Sequence, residues 1–259
     1  MIPLRDSIPP SSVPVVNYAI IALCALAFFA QMSSTDSGSK MVEQYGMVPV
    51  RLTHPGEVAK MTTQQYIPTS RGTLVREQEH ELAAAAVPAW FTLVTCMFLH
   101  GGFMHFAGNM WFLHVFGDNV EDRFGHIGYA FMYLSTGIVA GLSHLFSNAF
   151  SPVPTIGASG AIAGVMGAYM VLYPHSRVQA FMPPFFNFVL PAPIFLGIWF
   201  VMQTLSGVSS LGNSESTGVA WWAHIGGFIA GVILAFGIRN TSMGRPAVTV
   251  RRDFDHDQY

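Results

Sequence analysis

Ser159 stands in Gly157-Ala158-Ser159-Gly160 and His224 in Trp221-Trp222-Ala223-His224-Ile225-Gly226-Gly227, each inside a long stretch without Asp, Glu, Lys or Arg. A serine hydroxyl is a weak nucleophile until a base takes its proton, which requires an imidazole within about 2.6–3.2 Å. Small residues permit such an approach between helices. Gly160, Gly164 and Gly167 make one stripe, with Ser159, Ala163, Met166 and Met170 beside it, and Gly227 and Gly231 form a GxxxG pair next to His224. Two further polar groups, His105 and Asn109, are spaced four apart and therefore share one helix face.

Each feature has an ordinary structural explanation. A serine at a helix start is a common cap, a glycine stripe is a common packing device, and a membrane histidine is often only hydrogen-bonded to a neighbour; His114, His144 and His175 are expected to be so bonded or to sit at the interface. Their co-occurrence argues for chemistry: a nucleophile, a base, a close-packing surface for both and a pair of extra polar groups. A zinc site built on His100, His105 and His224 is the weaker alternative. Residues five apart, such as His100 and His105, point away from each other on a helix, and no carboxylate or thiolate stands near them. No metal or cofactor is expected.

The elements that must position these residues follow from composition. Of 259 residues 12 are Lys or Arg and 14 are Asp or Glu, so about a tenth are charged where a soluble domain carries roughly 25%. With 51% apolar residues and a mean hydropathy of +0.43, the chain reads as all-α and polytopic in the membrane. The net charge of −2 gives no basic excess for nucleic acid, and two cysteines cannot build a disulfide framework; Cys24 and Cys96 read as buried thiols.

Charge-free gaps at 7–35, 82–117, 124–176, 178–214 and 216–238 set the spans, and Ser151-Pro152-Val153-Pro154 divides the longest gap in two. Six spans are expected, near 14–32, 102–119, 127–149, 158–173, 184–206 and 220–238. Residues 1–13 form an N-terminal segment before an uncleaved first helix, and 14–240 form the membrane domain. The tail 241–259, charged from about Ser242, is expected to be disordered. The polar loop 33–90 is expected to form short interfacial helices of its own, such as 74–86.

Lys and Arg set the orientation. Arg5, Arg123, Arg177, Arg239, Arg245, Arg251 and Arg252 fall on one side, and the short loops 150–157 and 207–219 on the other side have none. Both termini are therefore expected in the cytoplasm. Spans two, four and six then run inward, which sets the N-terminal ends that carry His105, Ser159 and His224 at one depth in the outer half of the bilayer.

These residues resemble the rhomboid intramembrane serine proteases: Gly157-Ala158-Ser159-Gly160, Ala223-His224-xx-Gly227-xxx-Gly231 and His105-xxx-Asn109, with His100-Gly101-Gly102-Phe103-Met104-His105 and Gly117-xxx-Glu121-xxx-Gly125. The resemblance runs from about Trp90 to Gly237. It implies a six-helix rhomboid-like bundle in the cell inner (plasma) membrane that hydrolyses peptide bonds in or next to the membrane segments of other proteins. It assigns Ser159 as nucleophile, His224 as general base, and His105, Asn109 and the Ser159 N–H as the oxyanion hole. Gly157, Gly160, Gly164, Gly227 and Gly231 would give close-packing support.

One departure is Ala163, where many rhomboids place an aromatic for the histidine to stack on, leaving Trp221, Trp222 or Met166 to fill the space. The tryptophan-arginine pair found in the first loop of some members is also absent. With no carboxylate in the spans, His224 is expected to be held by packing alone. The alternative within the same fold is a non-enzymatic protein that binds client transmembrane helices.

Overall fold

The computed structural model describes residues 1–239 apart from 37, 70, 71, 183, 185 and 211–218. The tail 241–259 lies outside the described residues. A strand, β1 (Ile2–Asp6), precedes the first long helix α1 (Val15–Ser33). Short helices α2 (Ser39–Tyr45), α3 (Pro49–Thr53) and α4 (Thr92–Thr95) bracket a hairpin of β2 (Lys60–Thr69) and β3 (Gly72–Glu81). Then come α5 (Phe103–Ser147), α6 (Ser159–Leu172), the hairpin β4 (Arg177–Met182) and β5 (Phe186–Pro191), α7 (Ala192–Ser210) and α8 (Trp221–Arg239).

The molecule is mostly helical, but it is not all-α. Residues 74–86 do not form a helix: Gly72–Glu81 pairs antiparallel with Lys60–Thr69, from Thr69↔Gly72 to Lys60↔Glu81. The Glu, Gln, Leu and Ala of 74–86 favour helix individually, but a neighbour containing Thr62, Thr63, Tyr66 and Ile67 supplies a β partner, and pairing overrides propensity. Strands also replace the start of the span expected at 184–206. Pro191 and Pro193 prevent a helix from continuing back through this point, and Phe186–Pro191 pairs with Arg177–Met182 instead. β1 joins the other edge of β4, in the order β1-β4-β5, and so fastens the N-terminal segment to this hairpin.

Four helices, α1, α5, α7 and α8, are long and apolar enough to cross a membrane. Their outer faces fit lipid: Leu26, Phe29, Phe131 and Ile233 are each more than 60% exposed. α1 buries one face only, through Asn17, Ile20, Cys24, Phe28 and Gln31. α5 has 45 residues but breaks at Gly125, whose φ of 71° and ψ of 165° are open to glycine and costly for other residues. Its two arms reverse direction, because His105 near one end and Ala140 near the other both meet the start of α6. The helix runs unbroken to Phe124, past the expected end at 119, so Glu121 and Asp122 are helical residues as Asp118 is.

α6 is the central helix. Apart from Ser159 and Met170 all of its residues are buried, and at 14 residues it is about 21 Å long, short of the ~30 Å of a bilayer core. It packs on α8 backbone to backbone. A Cβ added at Gly227 would strike the Gly160 carbonyl, one at Gly231 the Gly164 carbonyl, and one at Gly167 the Phe228 carbonyl. On its other side Gly160 meets Ala140 and Gly164 meets Thr136, both on α5.

The end of the bundle remote from Ser159 is tied by carboxylates. Pro14 caps α1 without a side-chain hydrogen bond, and Glu121 of α5 accepts the N–H groups of Val16 at 3.0 Å and Asn17 at 2.7 Å in its place. His126 Nδ1 donates to the same carboxylate at 2.5 Å. Asp122 accepts from the Ser11 and Ser12 N–H groups and from the Ser12 hydroxyl. Asp6 accepts from Asn119 at 2.8 Å and from the Tyr169 hydroxyl.

Candidate active site

Ser159 is the first residue of α6, where the leading N–H groups of a helix have no intrahelical carbonyl to meet and the dipole favours negative charge. The strand-like approach to it is pinned: Met47 and Thr155 exchange backbone hydrogen bonds at 3.0 and 2.8 Å, and the Gly157 N–H donates to Cys96 O at 2.9 Å. Gly157 has φ 122°, and a Cβ there would lie 2.8 Å from Cε1 and Nε2 of His105. Only glycine lets the His105 ring come this close to the turn into Ser159.

His224 enters from α8, one turn before Gly227. Its Nε2 is 2.8 Å from Ser159 Oγ, within the range for proton transfer. The Gly160–Gly227 and Gly164–Gly231 contacts make this possible, because they bring the two helix backbones together over the following two turns.

His224 is not held by packing alone. Its Nδ1 lies 2.7 Å from Oε1 of Gln203 on α7, an interaction the sequence reading missed. The available signal was a polar amide in the charge-free stretch 178–214. The aromatic neighbours of the imidazole are Trp199, at 5.9 Å and tilted 41°, and Trp221, edge-on at 6.2 Å. Trp199 was also unanticipated, and it stands one turn before Gln203 on the same face of α7.

His105 and Asn109 project from the first turns of α5. The Gly101 N–H donates to His105 Nδ1 at 3.3 Å, which leaves Nε2 as the protonated nitrogen of the neutral ring, on the side facing Gly157. Asn109 is 8% exposed, and its Nδ2 has no hydrogen-bond partner among the described residues. The loop before them is fixed by Gln31 of α1, whose amide donates to His100 O at 3.1 Å and accepts from His100 N at 3.0 Å. His100 packs edge-to-face on His105 at 5.4 Å, and among the described residues no three His, Cys, Asp or Glu are grouped to hold a metal ion.

A hydroxyl, an imidazole that can take its proton, free N–H groups at a helix start and the His105 ring thus converge at one end of the bundle, with Asn109 one turn along α5 from His105. Such a set is suited to acyl transfer through a tetrahedral oxyanion.

A family model, the Rhomboid domain, matches residues 88–241. The rhomboid protease GluP of Bacillus subtilis is 33% identical over 167 residues, which are 64% of this chain and 30% of that protein. RHOMBOID-like protein 1 of Arabidopsis thaliana is 26% identical over 234 residues, 88% of this chain and 53% of its own length. The mitochondrial Rhomboid protein 1 of Saccharomyces cerevisiae is 28% identical over 156 residues, 57% of this chain and 41% of that one. The chain thus spans about a third to a half of these relatives.

Proposed function

We propose that this chain, which belongs to the rhomboid family, is an intramembrane serine endopeptidase that hydrolyses peptide bonds in or next to the membrane segments of other proteins. The observation that carries the reading is the 2.8 Å approach of His224 Nε2 to Ser159 Oγ. Ser159 Oγ attacks the scissile carbonyl carbon while His224 Nε2 takes its proton. The carbonyl oxygen becomes an oxyanion, received by the Ser159 N–H, Asn109 Nδ2 and His105 Nε2–H. As the tetrahedral intermediate collapses, the imidazolium returns its proton to the departing amine. A water then repeats the sequence in reverse roles: His224 takes its proton, the hydroxide attacks the acyl carbon, and Ser159 Oγ leaves with the proton back from His224.

The architecture is read as six crossings, with α5 counted as two and the short α6 completed by the loop before it. Both termini lie in the cytoplasm of a cell with this protein in its plasma membrane, and the dyad lies in the outer half. A cysteine at Asn213 should react with an impermeant maleimide on intact cells, and one at His175 should not; the opposite pattern inverts the protein.

The substrate must unwind at the cut, because a bilayer span satisfies its backbone as a helix and a serine attacks an extended carbonyl. Small residues at the scissile bond, with Gly or Pro shortly after, suit the glycine-lined surroundings of Ser159 and ease unwinding. The test is co-expression with single-span reporter proteins, alongside fluorophosphonate labelling of the purified chain. Cleavage and labelling that both vanish in Ser159→Ala and His224→Ala support the reading. An inert serine in folded protein overturns it and leaves a binder of client helices.

A further inference from the structure

We propose that Gln203 is the positioning residue for His224, its side-chain carbonyl accepting the Nδ1–H so that the imidazole is held as the tautomer whose Nε2 lone pair faces Ser159. The inference rests on the dyad reading above and adds a member from a third helix. Gln203 Oε1 stands 2.7 Å from Nδ1 while Ser159 Oγ stands 2.8 Å from Nε2, so the two ring nitrogens are engaged from opposite sides.

A neutral imidazole has one protonated nitrogen, and its partners decide which. With the amide oxygen on Nδ1, the proton is held there and Nε2 is the acceptor Ser159 needs. Were the amide reversed, its N–H would donate to Nδ1 and the ring proton would sit on Nε2. Ser159 Oγ would then receive a hydrogen bond where it must give one. The orientation of this one amide therefore selects between a competent and an incompetent base.

The helix carrying Gln203 is seated to hold that geometry. Trp199, one turn earlier, packs its ring 5.9 Å from the imidazole, and Phe200 stacks on Phe228 of α8 at 4.6 Å and 25°. Gln203 thus arrives from a face of α7 docked on α8 immediately beside the base.

A neutral acceptor also fits the depth of the site. An amide orients the ring without bringing a net charge into an apolar region, and a glutamic acid there would stay protonated and keep the same carbonyl acceptor. As Nε2 takes the serine proton, the Nδ1–H donor belongs to a cation and its bond to Gln203 strengthens. The interaction grows in the transition state, so its loss falls on kcat rather than on KM.

The experiment compares the native chain with Gln203→Met, similar in size without the acceptor, and Gln203→Glu, which keeps it. Cleavage of a fluorogenic transmembrane peptide in detergent gives kcat and KM, and the rate of fluorophosphonate labelling reports Ser159 directly. Gln203→Met is expected to lower kcat about 10- to 100-fold and slow labelling in parallel, with KM within about twofold. Gln203→Glu is expected to stay within about threefold of native. A Met variant with native kcat, or a Glu variant as slow as the Met variant, overturns the proposal.

Nitrogen NMR of native protein labelled in histidine provides a reading that needs no variant. His224 protonated on Nδ1 is the expected form, and protonation on Nε2 as the main form overturns the assignment. Failure of the dyad reading looks different, since native protein itself would then neither label nor cleave.

Discussion

The two ends of the bundle solve opposite problems with different polar groups. At the end remote from the dyad, carboxylates accept several donors at once: Glu121 takes Val16, Asn17 and His126, and Asp122 takes Ser11 and Ser12. Each ties the start of the chain to α5. At the dyad end the side chains are Ser159, His224, Gln203, His105, Asn109 and Gln31, with no Asp, Glu, Lys or Arg among them. Asn109 Nδ2 there is unmatched among the described residues. Glu121 lies sixteen positions along α5 from His105, about 24 Å away by helical rise. Charge caps a helix at one end, and donors stay available at the other, where the proposed chemistry lies.

That contrast breaks most severely if the dyad end proves structural. Ser159→Ala or His224→Ala should each drop cleavage to background, with the double variant no lower, since the pair acts as a unit. Ser159→Ala should shift unfolding in detergent by less than about 1 kcal/mol, because it removes one hydroxyl without opening the helix packing. A large loss of stability there would erase the distinction between the two ends.

The next effect is smaller. Asn109→Ala should lower kcat by up to about 100-fold with little change in KM, since two other oxyanion donors remain. An unchanged kcat would remove Asn109 from the chemistry and make its free donor a packing accident.

Glu121→Ala probes the other end and should show the reverse signature. Two N–H groups at the start of α1 lose their acceptor, and the chain should be destabilised by about 2–4 kcal/mol, read from detergent unfolding. Fluorophosphonate labelling of Ser159 per folded molecule should stay near native. Coupled loss of both would mean that the ends are not independent.

The smallest change sharpens the picture. Tyr129→Phe removes one hydroxyl donated to Asn17 Oδ1 at 2.8 Å and should cost about 1 kcal/mol of stability, with cleavage kinetics unaltered.

Much of this arrangement was legible in residue types. Charge-free stretches located α1, α6 and α8 to within a residue or two, because lipid tolerates few charges and the boundary is abrupt. The GxxxG pair of α8 pointed to close packing because glycine has few other uses inside a membrane helix. The hairpins were not legible: 74–86 carries helix-forming residues, and only pairing with Lys60–Thr69 makes it a strand. Residues 186–191 are apolar enough for a span, and only pairing with Arg177–Met182 makes them a strand.

The sequence by itself determined that this is a membrane protein of packed helices, which residues lie in them, and that Ser159, His224, His105 and Asn109 are chemically unusual in such surroundings. Those are properties of composition, period and spacing along one chain. The tertiary structure alone decided that Gly160 would meet Gly227 and Gly164 would meet Gly231, setting the imidazole 2.8 Å from the hydroxyl. It also brought Gln203 from α7 onto the far nitrogen of that ring, and Glu121 from α5 onto the start of α1. A side chain's hydrogen-bond partner across a helix interface depends on rotation and depth that no local pattern encodes, so a glutamine in an apolar run reveals its role only when the neighbouring helix is in place.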